Sequence, residues 1–147
     1  MGYKYSEVEF ISLACQKLTT RYRNNDIYLG VPCLNRCIDV VINAPEGLIA
    51  IEFKIKNWKK AVEQTKDHLL GVDYAVICIP PKRIISNIES ALEGTPLGLW
   101  VFDPDSQNEW PFTEIVSPRK SHQKWDVAEK WIYQRIEKGD FQIGIEV

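Results

Sequence analysis

A chain of 147 residues holds one domain with one substantial core and is too short for two. Its 45% apolar and 26% charged residues exclude the disordered and fibrous classes. A formal net charge of -2 excludes a globally basic nucleic-acid binder, so any polyanion must be met by a local positive patch.

Along the chain, residues 6–22 carry Val8, Ile11, Cys15, Leu18 and Tyr22 at three- and four-residue steps, which predicts an amphipathic helix capped by Ser6. Asn24-Asn25-Asp26 ends it, and residues 27–31 read as a short strand before a turn region at Pro32. Residues 37–42 and 48–54 are strands joined through Asn43-Ala44-Pro45-Glu46-Gly47, so they predict an antiparallel hairpin. Asn57 caps a second helix running to about residue 70, with Trp58, Ala61, Val62, Thr65 and Leu69 as its buried stripe. After Gly71, residues 74–79 are an unbroken apolar run, the pattern of a strand covered on both faces. A helix over 82–92, strands over 98–102 and 112–116, a polar basic loop from 117 and a helix over 125–136 complete the reading. The expectation is a single α/β domain over 1–147: a mixed central β-sheet flanked by helices in the order α-β-β-β-α-β, with additional C-terminal strand and helix.

No signal-peptide pattern precedes the first helix, and no apolar run approaches the roughly 18 residues of a membrane span. Four cysteines, Cys15, Cys33, Cys37 and Cys78, are then expected as reduced thiols of a cytoplasmic protein. The CxxxC spacing of Cys33 and Cys37 is half a metal site without a second Cys or His pair, so buried free thiols are expected there.

The chemistry concentrates in the hairpin. Asp39 interrupts an apolar strand, where a carboxylate is costly unless hydrogen-bonded, paired or bound to a metal. Glu52 and Lys54 stand two positions apart on the next strand and share a face, beside which the hairpin brings Asp39. Two carboxylates supply hard oxygen ligands for Mg2+ or Mn2+, and a neighbouring lysine can hold the attacking water and meet phosphate charge. The same three residues also admit a plainer reading as a solvated strand face beside one paired buried acid.

Asp39, twelve intervening residues and then Glu52-Phe53-Lys54 resemble the PD-(D/E)xK nuclease superfamily, with Ile38 standing where proline is common. The resemblance spans residues 6–102 and implies a restriction-endonuclease-like core. It further implies a Mg2+- or Mn2+-dependent deoxyribonuclease in which Asp39 and Glu52 bind metal and Lys54 serves the water or phosphate. Many members add a glutamate on the first helix, for which Glu7 is chosen over Glu9 because it flanks the apolar stripe. Some add a QxxxY motif on the helix after ExK; Gln64 matches its glutamine and His68 stands in place of its tyrosine.

Lys56, Lys59, Lys60 and His68, together with Arg36 and Lys66, are the expected nucleic-acid surface, with DNA the expected partner and RNA left open. A second basic stretch, Arg119, Lys120, His122 and Lys124, reads as a surface loop. A homodimer is expected if paired cuts need paired sites. The alternatives are a catalytically inactive nuclease-fold module that binds nucleic acid or a protein partner, and a structural component whose charged triad is a buried salt-bridge network.

Overall fold

Period-two and period-3.6 apolar patterns resolve into alternating strands and helices: α1 (Glu7–Leu18), β1 (Ile27–Cys33), β2 (Arg36–Ala44), β3 (Gly47–Phe53), α2 (Trp58–His68), β4 (Tyr74–Ile79), α3 (Ile85–Leu92), β5 (Gly98–Phe102), β6 (Phe112–Val116) and α4 (Asp126–Glu137). The structure, a computed structural model, describes residues 3–34, 36–81 and 85–138. The start expected for α3 at residue 82 lies outside the described residues. None of the described helices is long and apolar enough to cross a membrane.

The six strands form one mixed sheet in the order β1-β2-β3-β4-β5-β6. β3, β4 and β5 run parallel, with α2 and α3 as the crossovers between them, while the pairs β1/β2, β2/β3 and β5/β6 are antiparallel. The protein is therefore α/β, with four helices among the described residues. Burial separates the two faces of the sheet. One packs Val62 of α2 and Leu69 just after it, Ile88 and Leu92 of α3, and Ala128 and Ile132 of α4 against Leu48, Ala50, Ala75 and Ile77. The other packs Phe10, Ala14, Cys15 and Leu18 of α1 against Val40, Ile42, Ile51, Phe53 and Phe102. β4 is thus covered on both sides, as its unbroken apolar run predicts.

Several local expectations shift. α1 is capped by Ser6 as predicted, with Ser6 Oγ accepting from Glu9 N–H at 3.1 Å and Glu9 Oε1 accepting from Ser6 N–H at 2.9 Å, a reciprocal capping box. The helix stops at Leu18, however, and its buried stripe runs through Phe10 and Ala14, leaving Val8 77% exposed. Phe10 explains the rotation: its ring meets Phe53 and Phe102 at centroid distances of 5.9 and 5.3 Å, an apolar area that Val8 cannot match. Pro32 continues β1 rather than turning it, which an edge strand tolerates because one row of its N–H groups faces away from the sheet. Asn57 adopts a left-handed conformation (φ 59) and makes no side-chain cap to α2.

The turn after α2 is tied to the sheet by a buried carboxylate. Asp73 Oδ2 accepts the Leu48 N–H at 2.9 Å while Oδ1 meets Lys124 Nζ at 2.7 Å. Burial pushes the Asp73 carboxyl up, but the Lys124 ammonium and the Leu48 N–H together hold it below its ordinary value. Ser121 Oγ adds a 2.8 Å bond to the Leu69 carbonyl. Lys124, expected in a solvated basic loop, is instead the clamp that fastens that loop to the sheet.

Candidate active site

The β2/β3 ladder ends at the pair Val40↔Ile51. One further step of that register sets Asp39 opposite Glu52, so hairpin geometry brings the two acids together as expected. There the side chain takes over from the main-chain ladder: Phe53 N–H donates to Asp39 Oδ2 at 2.9 Å. β1 kinks at the same level, at Gly30 with φ 61, a conformation that favours glycine. Beyond Phe53, Lys54 N–H donates to the Cys78 carbonyl at 3.0 Å, which carries β3 past its last pair with β4.

The two carboxylates disturb one another. Asp39 is pushed from 3.8 up to about 7, first by burial and then by the Glu52 carboxylate; the Phe53 N–H pulls the other way, and Glu7 adds a weaker push. The Cys15 thiol on the α1 side is also pushed up, to about 12, by burial and by Asp39, which leaves it inert.

Lys54 is half-buried, and its Nζ lies 3.7 Å from Glu7 Oε1 in the first turn of α1. Glu9 is occupied by the capping box, whereas Glu7 reaches Lys54 and acts electrostatically on Asp39, which in turn meets Glu52. Gln64, half-buried on α2 one turn before His68, makes no hydrogen bond to these groups among the described residues.

His68 departs from its expected place. It was read as part of the nucleic-acid surface, but it is 1% exposed, with Nε2 3.0 Å from Glu52 Oε2. The cause is helical phase: α2 buries Ala61, Val62, Thr65 and His68, and the last of these falls above Glu52 on the covered face of the sheet. A carboxylate only accepts, so Nε2 carries the proton in this contact, and Nδ1 is buried with no hydrogen-bond partner among the described residues.

Lys56, Lys59 and Lys60 are exposed as expected, just past the end of β3. Asn57, Trp58, Lys59 and Lys60 line an open cleft of about 520 Å3 there. Arg36 and Lys66 are not free cations: Arg36 Nε holds Asp67 at 2.8 Å and Lys66 Nζ holds Glu63 at 3.3 Å. Arg119, Lys120 and His122 border Pro96, near the opposite end of the sheet, where β5 begins.

Asp39 and Glu52 are the oxygen donors able to hold a divalent cation. Among the described residues no group of three or more His, Cys, Asp or Glu is gathered to enclose an ion. The pair fits a hard cation that keeps several waters, since two crowded carboxylates gain most from a shared positive charge. The cysteines are free thiols, and Cys37 is exposed rather than buried as expected, because it lies at the outer end of β2.

No protein-family model matches the chain and no curated protein matches its sequence, so the geometry of the site is what a functional reading must rest on.

Proposed function

We propose that this protein is a divalent-metal-dependent nuclease that hydrolyses phosphodiester bonds in DNA, built on a restriction-endonuclease-like version of the mixed sheet described above. The observation that carries the reading is the meeting of Asp39 and Glu52 at the end of the hairpin, where burial and then Glu52 push Asp39 to about 7, a crowding that a bound cation would relieve.

Bound between them, Mg2+ or Mn2+ would supply Lewis-acid polarisation of the phosphate and a more acidic water. The chain's own residues do the rest. Asp39 and Glu52 are the residues that would hold the cation, and both would have to be ionised to do so. Lys54 presents an ammonium that orients the water or meets the charge developing on the phosphate oxygens. Glu7 holds that ammonium from α1. Gln64, half-buried on α2, is proposed in a supporting role. The exposed Lys56, Lys59 and Lys60 supply the local positive surface that an acidic chain needs to hold a phosphate backbone beside the cut.

The test is to incubate the purified chain with linear, supercoiled and branched DNA and with RNA, in Mg2+, Mn2+ or chelator, beside Asp39→Ala and Lys54→Ala. Metal-dependent cleavage lost in both variants is the expected result. Absence of cleavage on every substrate refutes the enzyme reading, and binding without cleavage favours the non-catalytic module instead.

A further inference from the structure

We propose that His68 is a positioning residue that orients Glu52 for cation binding, an inference that rests on the metal-site reading above. The supporting geometry is a buried imidazole whose Nε2 meets Glu52 Oε2 at 3.0 Å from the far side of the carboxylate. Glu52 faces two influences. Asp39, on the neighbouring strand, lies within hydrogen-bonding reach of Glu52 and crowds it by like charge when both are ionised. The bond from His68 holds Oε2 from the α2 side and so limits the orientations open to a carboxylate that Asp39 also meets.

Packing alone does not account for this residue. The His68 ring is almost fully buried, yet Nδ1 has no hydrogen-bond partner among the described residues, leaving a polar nitrogen unsatisfied there. An apolar side chain of similar volume would fill the position without that penalty. What it would lack is the N–H that Glu52 accepts. Outer partners of metal ligands act in this way, holding the ligand in one orientation before the ion arrives.

The discriminating experiment measures Mn2+ affinity by calorimetry on the nucleic-acid-free protein, for the wild type and for His68→Gln, His68→Asn and His68→Leu. Glutamine keeps an N–H donor of similar reach; asparagine keeps an amide that falls short of Glu52; leucine removes the donor. His68→Gln is expected to stay close to the wild-type dissociation constant, whereas the Asn and Leu variants weaken roughly 10–100-fold, the usual cost of losing such a partner. Melting temperatures in chelator are compared for the Gln and Asn variants, so that a merely structural role, which would move stability without separating their affinities, is distinguished. Asn or Leu variants that bind Mn2+ like the wild type overturn the positioning role alone, as does a Gln variant as weak as Asn. A wild type that binds no Mn2+ overturns both this role and the metal-site reading beneath it.

Discussion

Removing the charge from Asp39 should stabilise the metal-free protein, and by an amount that depends on pH in a defined direction. Folding raises the Asp39 carboxyl from 3.8 to about 7. A group raised on folding contributes its full stability below the unfolded value and loses it as pH climbs through the folded one. Between pH 3.8 and 7 the unfolded chain therefore sheds the Asp39 proton more readily than the folded one, and the fold weakens progressively. At full ionisation the shift corresponds to about 4 kcal/mol. Because Asp39 is only half-buried, solvent relaxation reduces this to about 1–3 kcal/mol. Asp39→Asn keeps an acceptor for the Phe53 N–H and removes the repulsion with Glu52. The variant should unfold like the wild type near pH 3 and gain that amount at pH 8, measured by urea denaturation in chelator. Excess Mn2+ should reverse the order at pH 8, stabilising the wild type and leaving the variant unmoved. An Asp39→Asn protein less stable than the wild type at pH 8 in chelator would refute the claim that the two carboxylates are forced together.

Three other outcomes follow from the same geometry. Lys54→Ala should lower kcat for metal-dependent DNA cleavage by roughly 100-fold or more while leaving Mn2+ affinity close to the wild-type value; activity retained within tenfold by a single-turnover assay rules out its role at the phosphate. Asp73→Asn should cost about 2–3 kcal/mol at pH 7 because it leaves Lys124 without its buried partner. Since the Asp73 carboxyl is depressed on folding, that difference is present above its unfolded value of 3.8 and closes as pH falls below it, which paired chemical melts at pH 7 and pH 3 can check. Gly98→Ala should cost about 1–3 kcal/mol, because the new methyl would sit 2.9 Å from the backbone nitrogen of Pro118, and a thermal shift of less than a degree would contradict that contact.

The elements that the sequence made legible are those whose periodicity is strong and whose neighbours are near in the chain. The 40–51 hairpin was readable because the turn at Pro45-Glu46 is short and both arms are β-branched, and its register alone accounts for the meeting of Asp39 with Glu52. The contact of Glu7 with Lys54 does not follow from the predicted helix phase, which put Val8 inside where Phe10 is buried instead. What stayed hidden was pairing between elements. The motif spacing singled out His68, but nothing in the charged, exposed-looking residues 63–68 shows that α2 buries its ring against Glu52. Nor does Lys124, in a run that reads as solvated, announce a carboxylate fifty-one positions earlier in the chain. Both are long-range partnerships, decided by which helix face lands on which strand; a two-residue spacing on one strand needs no such information.

Because β2 and β3 are joined by only Pro45 and Glu46, the two acids meet in a local event with little loop-closure entropy to overcome. Their repulsion would then be borne by the zipping of Val40–Ala44 against Gly47–Ile51, which closes a shorter loop than the docking of α1 and α2 does. A folding chain would thus already possess its pair of oxygen donors while the helices that supply Glu7 and His68 are still undocked, and a divalent cation captured at that stage would act on the order of assembly as well as on the finished fold.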